Sequence, residues 1–448
     1  MTRIASALAV FALWSVTADA RSWTVGGAGA DFPFIAPAIA AASAGDTIEV
    51  RGGVYREDLV IDKRLAVVGL NRPTLIGTGI GTVVTIVAPQ SELSGFAIEG
   101  SGTGQTNGMD AGVQIASNGN RIVDNVFRRV FYGIVVVDAR RNEIADNEIH
   151  GLRELPFGQR GDGIYLYRAP ENFVARNRIS GERDAIYFQY APRGRAVDNV
   201  ARDSRYALHD MFSDDTVIAR NEFSDSVVGA NIMNSRRIKL ERNLIGRNRG
   251  VPGIGLTLKD CDESIVRGNT IAGNGRGLLV DGSSRNQFVD NRFDANDTAA
   301  TIFSSAEENA FSGNQFTANS SDVVLSGRDA GTRWSIGGRG NFWSRYRGFD
   351  FDGDGIGDTP HPLVGAFERI EGNNPATRMF LLSPAAAGLE LAARLSAPST
   401  SDALDSRPLT RAASRRAVPA RTHLPALLML LLLMVVASMI VGAERCLR

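Results

Sequence analysis

Short runs in which apolar and polar residues alternate recur along most of the chain. They begin with TIEV, LAVVGL, TVVTIV and LSGFAIEG after Gly45 and continue through RIVDNVF, NFVARNRI, TVIARNEF, SIVRGNTI and NQFVDNRF. Alternation of this kind predicts β-strands with one buried face. The later phrases carry an asparagine in the same place, at Asn125, Asn147, Asn177, Asn199, Asn221, Asn243, Asn269, Asn291 and Asn314. Successive intervals are 22, 30, 22, 22, 22, 26, 22 and 23 residues. A phrase repeated at such a period marks a solenoid, in which one unit stacks on copies of itself. The units are rich in Val, Ile, Phe, Gly and Asn, which is strand and turn composition, and the leucine-dense pattern of a horseshoe repeat is absent. The pattern predicts an all-β chain wound as a right-handed parallel β-helix, with the asparagines stacked at one corner.

The ends of the chain depart from this pattern. Residues 1–20 combine a basic start, a short apolar stretch and Ala18-Asp19-Ala20, the features of a secretory signal peptide. Residues 21–372 are assigned to the β-helix. A short helix near Ala36–Ala42 is placed to cover the first coil, which in a solenoid needs a cap. A helical tail is expected over 373–395, then a flexible basic linker over 396–423. Leu424 to Gly442 carries no charge and is long enough for a single transmembrane helix. Arginines before that segment would place the linker in the cytoplasm by the positive-inside rule, but the signal peptide acts first and directs it outward. Two coils are long, with insertions at Leu152–Arg160 and Arg247–Pro252, and such insertions emerge as loops from one face.

Composition then narrows the function. The formal net charge is zero over 448 residues, so there is no global attraction to nucleic acid or an acidic polymer. The two cysteines, Cys261 and Cys446, fit neither a disulfide framework nor a zinc spacing.

Counting back from each ladder asparagine sorts the coil positions by face. Positions thirteen and eleven before it are nearly all apolar, as in Ile186, Leu208, Leu256 and Leu166, Phe188, Leu258, and so face the core. Strand alternation then turns two intervening columns outward: Tyr165, Tyr187, His209, Asn231, Thr257 and Tyr167, Gln189, Met211, Met233, Lys259. His209 and Met211 share one face of a strand, about 7 Å apart at the backbone, and Met233 lies one coil on at a strand spacing of about 4.8 Å. One imidazole and two thioethers at one place favour copper, Cu(I) above all, over zinc or hard cations. Simple packing of these side chains is the competing explanation, and the nearby Tyr165, Tyr167, Tyr187 and Phe188 would also suit a sugar-binding wall. Asp210 falls in an inward column, where an unpaired carboxylate is costly, and predicts an irregular coil. Asp350, Asp352, Asp354 and Asp358 in DFDGDGIGD alternate like the start of a calcium loop, with His361 where the bidentate glutamate would stand. They are candidates for structural calcium, against an ordinary acidic turn. Cys261 reads as an inert coil residue.

The segments GDTIEVRGGVYREDLVIDKRLAVVGL, RYALHDMFSDD, GANIMNSRRI and GNFWSRYRGFDFDGDGIGDTP resemble the NosD family, β-helical periplasmic maturation factors of nitrous oxide reductase, over Gly45 to about Leu395. The resemblance implies a pectin-lyase-like solenoid that handles copper and is not itself an enzyme. It implies as partners an ABC transporter permease and its ATPase, a copper-donating lipoprotein, and the reductase whose copper centres are assembled. The family's H-x-M motif falls on His209 and Met211, and the following methionine on Met233. The C-terminal segment would anchor such a protein to the inner membrane, on its periplasmic side. Two other functions stay open on the residues. A β-helical polysaccharide lyase, hydrolase or epimerase needs clustered acids and a base in an outer groove, whereas Lys259 and Asp281 have no paired carboxylates within one coil. A structural solenoid would use the methionines as a protein interface.

Overall fold

The computed structural model describes residues 20–104, 109–380, 383–395 and 403–412. The signal peptide, apart from Ala20, and the transmembrane segment 424–442 lie outside the described residues. Among the described residues no helix is long and apolar enough to cross a membrane.

Three parallel sheets of 13, 13 and 12 strands wind as a right-handed β-helix. A typical coil places Val217–Ala219 in the first sheet, Glu222–Ser224 in the second and Val228–Met233 in the third. Each strand pairs with its counterpart in the next coil, so residues one period apart lie side by side. The interior is filled by columns such as Ile186, Leu208, Ala230 and Leu256, all fully buried. The helix Ile35–Ala41 covers the first coil with Ile35, Ala38 and Ile39 inward, and the Glu57 carboxylate accepts its leading amides from Ile35 and Ala36 at 2.9 Å each.

The asparagine ladder sits at the corner between the first and second sheets. The turn there puts the preceding residue in the left-handed region, as at Asp198 (φ 58°) and Arg220 (φ 56°), and leaves backbone groups that the strands cannot pair. Asn221 shows the solution. Its Oδ1 accepts the backbone N–H of Asn199 at 2.9 Å and the Asn199 amide at 3.0 Å, while its Nδ2 donates to Ala196 O at 2.8 Å and Asn243 Oδ1 at 3.0 Å. Every group of the buried amide is thereby used. The ladder runs one coil past Asn314 to Asn341 and ends on the Asp405 carboxylate. The other two corners carry shorter ladders, Asn120–Asn142–Asn172 and Asn248–Asn274–Asn296–Asn319.

Two boundaries shift. Helical structure begins at Ala366–Asn373, ahead of the expected 373, because Val364 and Phe367 bury themselves against the end of the solenoid. Residues 403–412 fall inside the stretch that composition marks as linker, yet Leu404–Asp405 pairs antiparallel with His361–Pro362, and Leu409 N–H donates to Asn341 O at 2.8 Å.

Candidate metal centre

The third sheet carries two separate layers of side chains. Its inner face belongs to the main core, while Val135, Tyr165, Tyr187, Tyr132 and Phe131 form a second apolar cluster on its outer face, with Leu152, Tyr167 and Met211 packed against it. The outward columns inferred from strand alternation are therefore real. They are also far less exposed than an open sheet face: Tyr165, Tyr187, His209 and Asn231 retain only 7–8% of their accessible surface. Stacking at strand spacing explains this, since each ring covers the next. Tyr165 and Tyr187 have centroids 5.1 Å apart, and Tyr187 lies flat on His209 at 4.2 Å with 6° between planes. Tyr206 meets the imidazole in a T-shaped arrangement, with centroids 5.0 Å apart and 77° between planes.

His209 and Met211 lie on the strand Tyr206–Met211, and Met233 on Val228–Met233. Met211 is the register partner of Met233, and His209 that of Asn231. Both thioethers are half-buried. The three residues singled out by sequence are thus on one outer surface and in neighbouring positions. The two insertions leave the same corner of the solenoid, ahead of the strands Ile164–Tyr167 and Ile254–Lys259, and so flank this stretch. In the first, Arg160 ties the loop down through Leu155 O, Arg153 O and Gly181 O.

The state of the imidazole follows from its neighbours. His209 Nδ1 lies 3.0 Å from Asp184 Oδ2. Arg205 holds the same carboxylate with Nε to Oδ1 at 2.9 Å and Nη2 to Oδ2 at 2.7 Å. Burial pushes the Asp184 carboxyl up, but hydrogen bonds from His209 and Arg205 outweigh it and hold it below the usual carboxylate range. An ionised carboxylate only accepts, so Nδ1 carries a proton and, in the neutral ring, Nε2 offers its lone pair. Nε2 is buried and has no hydrogen-bond partner. A buried polar atom left unpaired costs about 1–3 kcal/mol, which any partner taken by Nε2 would relieve. A soft metal ion on Nε2 would supply such a partner, and an imidazole with two thioethers on the same sheet face is a donor set that fits copper.

Sequence reading missed the residues around His209. Asp162, Glu182 and Asp184 are all fully buried, and Arg183 grips Asp162 as Arg205 grips Asp184, with contacts of 2.9 and 2.7 Å. The signal was present as a repeat: Arg183 and Arg205 are one coil apart, as are Tyr187 and His209. Glu182 and Asp184 lie in one coil, but neither Glu182 oxygen has a hydrogen-bond partner, so they form no carboxylate pair. The two aspartates are engaged by arginines, and none of the three acids is open to a polymer.

Asp210 does face the core, but its coil is regular and keeps full register with its neighbours. Burial pushes its carboxyl up to about 8, against the pull of the hydrogen bonds from Ser235 and Thr216, so the neutral acid is what the interior holds. The Ser235 hydroxyl donates to Oδ1 at 3.0 Å. Cys261 lies on this inner side, with Sγ against Ile232 O and Lys259 O at 3.4 and 3.3 Å, and burial raises its thiol to about 12. It is separated from the methionines by the sheet. Of the acidic quartet, Asp350, Asp352 and Asp358 bring carboxylate oxygens within 4.8 Å of one another. Asp354 stands outside this group and accepts from Ile356 N at 2.7 Å instead.

The model of a family described as periplasmic copper-binding protein (NosD) matches residues 152–348, which hold all three candidate ligands. A probable ABC transporter binding protein NosD of Pseudomonas aeruginosa is 27% identical over 349 residues, covering 74% of this chain and 80% of that protein. A protein of the same description from Stutzerimonas stutzeri is 26% identical over 324 residues, covering 68% and 73%. Among solved structures, the catalytic domain of a family 87 α-1,3-glucanase superposes with a TM-score of 0.53 at 12% identity, covering 66% of this chain and 65% of that one. The Streptococcus pneumoniae surface adhesin PfbA gives 0.50 at 12%, covering 65% and 87%. At that identity the likeness concerns the fold alone.

Proposed function

Since the chain belongs to the NosD family, we propose that it binds copper, as Cu(I), through His209, Met211 and Met233, and serves an ABC transporter in assembling the copper centres of nitrous oxide reductase. The observation that carries the copper reading is the buried, unpartnered Nε2 of His209 on the sheet face that also carries Met211 and Met233 in register. A signal peptide over 1–20 and an anchor over 424–442 complete the reading: they put the β-helix in the periplasm, tethered to the inner membrane. Tethering raises its effective concentration at a membrane-bound transporter and at a copper-donating lipoprotein without any new contact. The protein acts as a carrier and scaffold, not as an enzyme. Its buried acids support that, because Asp162 and Asp184 are held by arginines.

The test is a Cu(I) competition titration of the full chain beside the triple variant His209→Ala, Met211→Leu, Met233→Leu. One Cu(I) per chain, lost in the variant, is expected. Equal affinity in the variant would refute the site, and turnover of uronate polymers by the wild type would replace the carrier reading with a carbohydrate-active one.

A further inference from the structure

We propose that Asp184 is a positioning residue for the copper ligand: it fixes His209 in the tautomer and orientation that leave Nε2 free for the metal. The inference rests on the copper reading and adds a residue to it. Asp184 Oδ2 takes the Nδ1 proton at 3.0 Å, and Arg205 clamps both carboxylate oxygens, so the acceptor itself cannot turn away. The ring is also packed by Tyr187, stacked at 4.2 Å, and by Tyr206, T-shaped to it with centroids 5.0 Å apart. A metal-bound histidine whose second nitrogen donates to a carboxylate has its tautomer and direction set in this way. Without an acceptor at Nδ1, the ring proton can sit on Nε2, and the donor atom is then lost.

The solenoid supplies its own comparison. One coil earlier, Asp162 is held by Arg183 with the same geometry, but the residue in register with His209 is Tyr187. The carboxylate–arginine pair alone is therefore a repeated structural device. Of the two pairs, Asp184 with Arg205, which reaches the coil where the methionines begin, is the one whose carboxylate also holds an imidazole.

The experiment is a Cu(I) competition titration on the full chain, comparing Asp184→Asn, Asp184→Glu and Asp162→Asn with wild type, together with ¹⁵N NMR of the histidines. Asp184→Asn is expected to weaken Cu(I) binding about 10- to 100-fold. Asp184→Glu is expected to restore most of it, and Asp162→Asn to stay within about threefold of wild type, since it touches no ligand and its remaining carbonyl oxygen can still accept the Asp184 N–H. NMR needs no variant: apo His209 should carry its proton on Nδ1, and Cu(I) should shift Nε2. The chain has four histidines, which makes the assignment tractable. If His209 is protonated on Nε2, if Cu(I) shifts Nδ1, or if Asp162→Asn loses as much as Asp184→Asn, the positioning role is wrong. If wild type binds no Cu(I), or the triple variant binds as well as wild type, it is the copper reading that fails.

Discussion

The Asp405 carboxylate accepts the indole N–H of Trp343 at 2.9 Å, and the two residues, 62 positions apart, are both closed to solvent. Asp405 also accepts the backbone N–H of Asn341 at 2.8 Å and that of Arg407 at 3.0 Å. It thus occupies the place of one more ladder asparagine. Asp405→Ala leaves at least two buried donors unmatched and is expected to destabilise the protein by about 2 kcal/mol or more. Chemical unfolding measures the loss, and hydrogen exchange should rise first at Asn341 and Trp343. Unchanged protection there would mean that 403–412 does not close the solenoid.

Inside the ladder the cost should be larger. Asn221→Ala removes an acceptor used twice by Asn199 and a donor used by Ala196 and Asn243. A loss of about 3 kcal/mol or more is expected, since several buried groups lose partners together. Its exposed neighbour Arg220 pairs with Asp198 on the surface, and Arg220→Ala should change stability by no more than about 1 kcal/mol. Equal effects in urea unfolding would show that the ladder is not what stabilises the corner.

That ladder was legible in the sequence because a corner asparagine must recur at every coil, and its spacing sorted inward from outward positions correctly. His209, Met211 and Met233 followed from that count. Asp184 and Arg205 did not, although Asp162 and Arg183 stand one coil earlier in the same columns, because that repeat lasts only two coils before Tyr206 takes the place of the acid. Asp405 was hidden for a different reason. It returns to the ladder across a gap of 64 residues, inside a stretch whose Arg, Ser, Pro and Ala content resembles linker. Period and alternation report contacts between successive coils, whereas these contacts depend on where an irregular segment returns.

Glu182 gives a pH-dependent outcome. Burial first, and then the nearby Asp162, raise its carboxyl well above the usual carboxylate value, and neither oxygen has a hydrogen-bond partner. The folded state keeps this proton where the unfolded chain gives it up, so stability is lost as pH rises above about 4.5. Glu182→Gln removes that proton linkage with little change in shape. The variant should be more stable than wild type at pH 7, and the difference should shrink toward pH 4. Urea midpoints of the two proteins at both pH values check this, and a variant that is weaker at pH 7 would show Glu182 to be ionised and paired.

The acidic loop makes a distinction between neighbours. If calcium binds there, Asp350, Asp352 and Asp358 hold it and Asp354 does not. Added calcium should raise the melting temperature of wild type and of Asp354→Asn, and leave Asp358→Asn unmoved. A calcium response that survives Asp358→Asn would place the ion elsewhere.

Met211 and Met233 allow chemistry to be separated from packing. Leucine conserves most of methionine's volume and removes the sulfur, and such swaps usually cost less than about 1.5 kcal/mol in a packed site. Both side chains are only half-buried, and Met211 rests against Tyr187 and its neighbours, so Met211→Leu and Met233→Leu should unfold much as wild type does. Each should nevertheless weaken Cu(I) binding by tenfold or more, because a soft ligand has been deleted. Cys261→Ser serves as the control, since its sulfur lies buried on the far side of the sheet, and its Cu(I) affinity should equal that of wild type. Silver(I), a soft ion of the same charge, should follow the same order across the three variants. Leucine variants that keep wild-type affinity would assign the methionines to packing and leave His209 without its soft partners.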